Sequence, residues 1–342
     1  MLSLARLSCV VASCCAAALV ASFAASAHAI TIDLVTVGDP GNAADTTTYG
    51  AVSETFQIMK YEFTNQQYTD FLNSVAATDT YSLYNANMGS NARGGITRSG
   101  TSGAYTYAVK SNMGNKPVNF VSWFDAARVS NWLQNGATGT SSTETGAYTL
   151  NGGTSGQTVV VNPGATFAIP TENQWYKAAY YKGSGTNAGY WTYATQSNTD
   201  PTAVAATTVG TGTSGGVSPV TSGNFANYGF NAAWNGQPSN VTTVGTNGGA
   251  SAYGAFDMSG NIMEWNSQSG LPLASGAIRG GDFDSFLAYD LSKASRGPNA
   301  TTSENDFRGF RLAVVPEPST CVMALAGLAC GGYSMWRRRK RA

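Results

Sequence analysis

The sequence predicts one irregular α+β domain with long loops, between two terminal segments of different composition. Few segments show helical periodicity, the extended runs are short, and 40 glycines among 342 residues are spread through long polar stretches. No linker-like stretch divides residues 30–314. We therefore expect a single domain there, and the 42% of hydrophobic residues in the chain suffice for a buried core.

Three helices are predicted from residues that favour helix starts. Thr64 precedes a run with apolar side chains at helical spacing. Ser122 precedes a second run over residues 123–133, and Thr171 has Gln174 three residues later, which is the spacing of a capping box. Four tryptophans are expected in the core because they are large and apolar: Trp123, Trp132, Trp175 and Trp265.

The other elements are predicted from extended runs and turn residues. Residues 56–63 alternate as a strand does, and residues 136–164 carry Gly turns that predict one or two hairpins. Residues 79–115 and 183–250 are rich in Gly, Asn and Ser and predict long loops. Arginine can hold such loops by bidentate pairing with Glu62, Glu172 or Asp257. Four arginines are candidates: Arg279, Arg296, Arg308 and Arg311.

Residues 1–29 have the composition of a secretory signal peptide. Arg6 supplies a positive start, residues 9–24 are apolar, and a small-x-small cleavage site ends at Ala29. An uncleaved membrane anchor is the alternative, which the shortness of the apolar run disfavours. We expect export and a mature chain that begins at Ile30.

Residues 315–342 have three parts in a fixed order. A Pro-Glu-Pro triplet at 316–318 precedes an uncharged run over 320–336, and the basic run 337–341 comes last. A helix over the uncharged run would reach roughly 25 Å, enough to cross a thin bilayer. This end resembles the PEP-CTERM sorting signal. The resemblance implies an exosortase-type sorting enzyme as partner and a place in the cell envelope or extracellular matrix, with membrane anchoring by the C-terminal helix before processing.

Composition excludes several classes of chemistry. The one His, His28, and all five Cys lie outside residues 30–314. The domain sequence therefore cannot supply a Ser-His-Asp triad, a Cys nucleophile, a disulfide or a metal held by His or Cys. It contains 13 Lys and Arg against 18 Asp and Glu, a net charge of about −5, so nucleic acid is not an expected partner.

Six short segments follow one another between residues 31 and 314. They are residues 60–68, 117–123, 169–175, 260–265, 279–281 and 309–311. In this order they resemble the formylglycine-generating enzyme (sulfatase-modifying factor) family. The resemblance implies an irregular fold that is a variant of the C-type lectin fold, and it covers nearly the whole mature chain.

The resemblance also locates a candidate ligand-binding segment after Gly280 and Gly281. In that family two cysteines after the Gly pair bind copper, and the alignment places Ser285 and Asp290 at their positions. Hydroxyl and carboxylate oxygens do not hold Cu(I) as thiolates do, so neither copper nor formylglycine-generating oxidase activity is expected. The candidate ligand-binding residues are Asp282, Asp284, Ser285 and Asp290, and the alternative is that they form a solvated loop.

Structural Ca²⁺ is a further implication of the resemblance. One site would use the side chains of Asn261 and Glu264 with the carbonyl of Ile262, and a second would use Asn227. Ca²⁺ takes roughly 6–8 hard oxygen ligands, which carbonyl-rich loops supply. The alternative is that Asn261 and Glu264 cap local backbone.

These observations predict an exported, non-catalytic binding module for polysaccharide or peptide, with residues 79–115 and 183–250 as ligand loops. Aromatic residues among Asn and Ser suit sugar stacking, although they also serve as loop anchors. The candidates are Tyr105, Tyr107, Tyr190, Trp191, Tyr193 and Trp234. The alternatives are a divergent oxidoreductase, a carboxylate-based enzyme of the same family, and a purely structural matrix component.

Overall fold

The computed structural model describes residues 30–155, 159–267 and 276–314. The predicted signal peptide at 1–29 and the predicted sorting signal and transmembrane helix at 315–342 lie outside these residues. Among the helices of the described ranges, none combines the length and the apolar character needed to cross a membrane.

The three longer helices begin where the sequence predicts. The described α-helices are α1 (Asn65–Val75), α2 (Asn87–Ser90), α3 (Trp123–Gln134) and α4 (Glu172–Tyr180), and a 3₁₀ helix covers Ala288–Leu291. Thr64, Ser122 and Thr171 each form a capping box with the residue three positions later. In each box the hydroxyl accepts from a backbone N–H that would otherwise lack a partner. Because this contact lies within one helical turn, the start of each helix can be predicted from the local sequence.

The strands are short and belong to several small sheets. They are β1 (Leu34–Val37), β2 (Phe56–Met59), β3 (Ile96–Ser99), β4 (Thr106–Val109), β5 (Phe167–Ala168), β6 (Thr202–Ala203), β7 (Ala205–Ala206), β8 (Gly212–Thr213), β9 (Phe225–Ala226), β10 (Met263–Asn266), β11 (Gly276–Arg279), β12 (Gly297–Asn299), β13 (Arg308–Gly309) and β14 (Ala313–Val314). The mixture of few helices with irregular sheets confirms the predicted α+β class.

Two four-stranded sheets bring distant parts of the chain together. The first has the order β1-β2-β14-β5 and is antiparallel, with Ile58 opposite Ala313. The second has the order β12-β11-β10-β13, with Glu264 opposite Arg279 on one side and Gly309 on the other. Only the pairing of β10 with β13 is parallel in these two sheets.

Three expectations about individual segments of the chain are wrong. Residues 79–115 contain α2 and the β3–β4 hairpin rather than one uninterrupted loop. In residues 136–164, the described part forms a single bridge between Tyr148 and Val161 instead of one or two hairpins. The strand predicted over 56–63 ends at Met59.

The tryptophans that were expected in the core are all buried. Trp265 donates from Nε1 to the carbonyl of Val121 at 2.9 Å, and Trp123 packs edge-on against Tyr148 with ring centroids 5.4 Å apart. Trp132 donates to Ser74 Oγ at 3.1 Å. Each indole therefore contributes apolar packing, and Trp265 and Trp132 also join separate segments through a hydrogen bond.

Candidate functional site

The candidate segment follows β11, where the chain turns sharply at two glycines. Gly280 and Gly281 have φ of 100° and 68°, in the left-handed region that favours glycine. A Cβ on Gly281 would lie 2.8 Å from Leu291 Cδ1. Leu291 therefore packs against the glycine turn, and Asp282, the first residue after it, is buried.

Asp282 lies at the base of this segment. Its Oδ1 accepts from the backbone N–H of Asp284 at 2.7 Å, and its own N–H donates to Ser285 Oγ at 3.0 Å. Burial, opposed by these backbone hydrogen bonds, raises the pKa of Asp282 to about 7. The structure thus brings three of the predicted residues together, with a carboxyl group that exchanges its proton near neutral pH.

Asp284 connects the segment to the rest of the domain. It accepts from Ser239 Oγ at 2.5 Å and lies 3.6 Å from the Arg93 guanidinium. Arg93 also pairs with Asp306 at 3.0 Å. Asp290 is half-buried in the 3₁₀ helix, where its N–H donates to the carbonyl of Leu287. Arg93 and Ser239 lie far away in sequence, so sequence reasoning had no signal for them.

Glu264, the predicted Ca²⁺ ligand, is held by a cation of the protein. Arg311 donates from Nη2 to Oε1 and from Nε to Oε2, both at 2.6 Å, and neither side chain is exposed. Trp175 donates from Nε1 to Oε2 at 2.7 Å. Both carboxylate oxygens are therefore engaged by the guanidinium.

Asn261 and Asn227, the other predicted side-chain ligands, meet in a buried network. Asn261 Oδ1 accepts from Asn227 Nδ2 at 3.1 Å and from the N–H of Thr242 at 2.9 Å. Its Nδ2 donates to Glu62 Oε1 at 2.9 Å. Burial raises the pKa of Glu62 well above its usual range. Ile262 is fully buried beside them.

The surroundings of Glu264 and Asn261 do not fit Ca²⁺, whereas Asn227 Oδ1 is buried without a partner among the described residues. The Glu264 carboxylate already faces a guanidinium, and a cation placed beside it would be repelled by Arg311. Asn261 Oδ1 is used by backbone and side-chain donors. In the described part of the chain, no three His, Cys, Asp or Glu side chains come together as a metal site. The hydrogen bonds of Asn261 match the alternative in which this residue organises the local backbone.

The aromatic residues of the predicted ligand loops serve mainly as anchors. Tyr107, Tyr193 and Trp234 are buried, and Trp234 donates from Nε1 to the carbonyl of Val241 at 2.8 Å. Three others are half-buried: Tyr105, Tyr190 and Trp191. The loops 79–115 and 183–250 therefore do not present a row of exposed rings.

Exposed apolar side chains instead lie on and beside the candidate segment. Three belong to the segment, Phe286 (75%), Tyr289 (59%) and Leu287 (56%), and the ring of Phe230 (44%) lies beside that of Phe286. The ring centroids of Phe230 and Phe286 lie 6.3 Å apart, and the N–H of Gly229 donates to the carbonyl of Ser285 at 2.9 Å. We call these four side chains the apolar rim. Flat apolar surface beside partly exposed carboxylates can contact a ligand that has both apolar faces and hydroxyl groups.

Comparison with known protein families identifies two matching regions of this chain. The family described as sulfatase-modifying factor enzyme 1-like domain matches residues 35–315, and the PEP-CTERM protein-sorting motif matches residues 314–340. No curated protein matches this chain significantly.

Several solved structures match this chain over most of its length. Variable protein 1 of Treponema denticola has 16% identity and a TM-score of 0.48, covering 85% of this chain and 98% of its own. The crystal structure of CarF has 20% identity and a TM-score of 0.49, covering 84% and 99%. PvdO from Pseudomonas aeruginosa has 15% identity and a TM-score of 0.39, covering 84% and 93%.

The family match spans more than half of the chain and includes both sheets, the three capped helices and the candidate segment. The protein therefore belongs to the sulfatase-modifying factor (formylglycine-generating enzyme-like) family, and it carries a PEP-CTERM sorting motif that marks it for export to the envelope.

Proposed function

We propose that this chain is a non-catalytic binding module that holds a neutral extracellular polysaccharide at the apolar rim. The PEP-CTERM motif implies an exosortase-type sorting system and export to the envelope, which supports an extracellular ligand. The observation that carries the proposal is the exposure of Phe286, Leu287 and Tyr289 within four residues of the chain, with the exposed ring of Phe230 beside that of Phe286. Clustered apolar exposure beyond scattered single residues is typical of interaction sites.

The surroundings of the rim favour a hydroxyl-rich ligand. Asp284 and Asp290 are only half-buried, and a carboxylate accepts hydrogen bonds from sugar hydroxyls. The aromatic rings provide flat apolar faces for the C–H faces of a sugar ring. The acidic balance of the domain disfavours an anionic polymer, since like charges repel at an interface.

The non-catalytic part of the proposal is based on the residues at the family's copper position. Ser285 and Asp290 replace the thiolates, and the Ser285 hydroxyl already accepts from the Asp282 N–H at 3.0 Å. Oxygen ligands do not favour Cu(I). Asp284 is engaged by Ser239 and Arg93 rather than poised as a second catalytic acid.

A carboxylate-based hydrolase is the second candidate, and Asp282 favours it. A carboxyl group with a pKa of about 7 suits general acid–base catalysis at neutral pH. Release of reducing ends from the host exopolysaccharide, lost in Asp282→Asn, would support hydrolysis. The same incubation without any new reducing ends would support the binding module.

The binding proposal is tested with the purified full-length protein in detergent. We expect retention on immobilised exopolysaccharide of the host, and the same retention in Ca²⁺ and in EDTA because the Glu264 carboxylate is already paired with Arg311. Passage through the column without delay would contradict the proposal. Loss of retention in EDTA would contradict the expectation that polysaccharide binding does not require Ca²⁺.

A further inference from the structure

A cavity of about 290 Å³ opens at the start of α3, and it shares no residue with the apolar rim. Its volume lies at the lower end of the range of about 300–1,000 Å³ that is usual for small-molecule sites. The residues used in the argument are Tyr81, Phe124, Asp125, Arg128 and Glu304. Several hydroxyl residues complete the wall, including Ser82 and Thr154. The cavity thus combines aromatic rings, carboxyl groups, a guanidinium and hydroxyls.

Two carboxyl groups face this cavity, and each has one oxygen already satisfied. Asp125 Oδ2 accepts from the N–H and the Oγ of Ser122 at 2.8 and 2.7 Å. Glu304 Oε2 accepts from Asn85 Nδ2 at 2.5 Å. Within the described residues, no hydrogen bond is made to Asp125 Oδ1 or Glu304 Oε1. Each group therefore keeps an acceptor for a ligand donor.

Burial raises the pKa of both carboxyl groups. With the charge of Glu304 as a further cause, the pKa of Asp125 rises to about 7, and the pKa of Glu304 is also raised. Raised pKa values mean that the pair carries less negative charge than two ordinary carboxylates, which favours a neutral ligand over a cation.

Arg128 adds an unsatisfied donor to the wall. Its Nε donates to Glu144 Oε1 at 2.7 Å, so its charge is neutralised, and its Nη2 donates to the carbonyl of Gly153 at 3.0 Å. Nη1 is buried without a hydrogen-bond partner among the described residues. The guanidinium lies 4.4 Å from the ring centroid of Tyr81. A buried donor without a partner is unfavourable, and a ligand oxygen that reaches it would remove that cost.

From this geometry we infer that the cavity is a second binding site, which takes a neutral polyhydroxyl ligand of about one sugar ring. Hydroxyl groups donate to Asp125 and Glu304 and accept from Arg128, so one ligand chemistry satisfies both kinds of group. Tyr81 provides an apolar contact beside them. A simple cation would leave the Arg128 donor unpaired.

The test is isothermal titration calorimetry of the full-length protein in a detergent without a sugar headgroup. D-glucose, D-galactose and D-mannose are titrated separately. We expect at least one of them to bind at a single site, and Glu304→Gln and Tyr81→Ala each to weaken that binding tenfold or more. Glu304→Gln keeps the size of the side chain and an oxygen for Asn85, so the fold is retained.

One matched control and one comparison decide the outcome. Glu54→Gln changes an exposed carboxyl outside both the cavity and the apolar rim, and it leaves binding unchanged. The double variant Phe286→Ala/Tyr289→Ala is the comparison that distinguishes sugar bound in the cavity from sugar bound at the rim. Loss of binding in the rim variant alone would overturn the inference, because the sugar would then occupy the rim. Failure of all three sugars to bind, or binding of CaCl₂ that Glu304→Gln abolishes, would also overturn it.

Discussion

Arg311 and Glu264 form a bidentate ion pair from which solvent is fully excluded. Arg311 also donates to the carbonyls of Met59 and Phe256, so it joins the C-terminal strand to two other segments. A buried charge that loses its partner keeps its desolvation cost without compensation. This pair is therefore central to the stability of the domain.

Arg311→Lys is expected to lower the free energy of unfolding by about 3–5 kcal/mol, since lysine cannot reproduce the bidentate geometry. Arg98→Lys is the matched control, because Arg98 is partly exposed and pairs with Asp79 at 3.0 Å. It should cost no more than about 1 kcal/mol. Denaturant unfolding measures both, and equal losses in the two variants would show that the buried pair has no special role.

Calcium removal is expected to leave the thermal midpoint of unfolding unchanged. The Glu264 carboxylate is occupied by Arg311 and Trp175, so chelation removes no ligand from the core. Differential scanning calorimetry with excess CaCl₂ and with excess EDTA makes the comparison. A lower midpoint in EDTA would mean that a Ca²⁺ ion stabilises the fold at some other place.

Asp282 gives a pH dependence whose sign follows from its raised pKa. The folded state holds this proton up to about pH 7, whereas the unfolded state releases it near 3.8. Stability from this group is therefore present at low pH and is lost as the pH rises from about 4 to about 7. At roughly 1.4 kcal/mol per pKa unit the upper limit is about 4 kcal/mol.

The contribution of Asp282 is isolated by Asp282→Asn. Other buried acids with raised pKa, such as Glu62 and Asp257, act in the same direction in both proteins. The variant should lose less stability than the wild type between pH 4.5 and pH 8 in urea unfolding. Parallel pH profiles for the two proteins would argue that Asp282 titrates normally.

Gly281→Ala is expected to disturb the candidate segment. The positive φ and the 2.8 Å approach to Leu291 Cδ1 both oppose a side chain at this position. We expect a loss of about 1–3 kcal/mol in stability together with weaker polysaccharide binding. Gly38→Ala is the control, because a Cβ there meets no atom within 4 Å. Unchanged binding in Gly281→Ala would show that the position of the apolar rim does not depend on the glycine turn.

The helix starts were predictable because their causes are local. Thr64 with Gln67 and Thr171 with Gln174 satisfy backbone groups within one turn. The β3–β4 hairpin was missed because its segment is rich in Gly and polar residues. Its strands are stabilised by α1 packed against β4 and by α2 packed against β3, rather than by their own periodicity.

The ion pairs were predicted in part. Arg279 and Arg296 pair with Glu172 as expected, at 2.6 and 2.7 Å. Arg311 pairs with Glu264, which was not among its expected partners. The register of β13 beside β10 brings these two residues together, and that register depends on tertiary packing.

The apolar rim had a weak signal in the sequence. Phe286, Leu287 and Tyr289 stand close together in a polar stretch, but sequence alone does not show whether such residues anchor a loop or face solvent. Tyr107 and Trp234, in similar polar surroundings, are buried. The direction of the chain after the Gly280–Gly281 turn determines which side chains of the segment face solvent, and a short sequence pattern does not reveal that direction.

The central claim is tested most directly by the affinity of the apolar rim for the host exopolysaccharide. The measurement is affinity electrophoresis of the full-length protein and of Phe286→Ala/Tyr289→Ala, with Val217→Ala as the control for an exposed apolar residue outside the rim. Surface changes of this kind alter stability by no more than about 0.5 kcal/mol, so the fold is retained. We predict that the double variant loses at least tenfold in affinity while Val217→Ala binds like the wild type. Equal affinity of all three proteins would contradict the assignment of the rim as the binding surface.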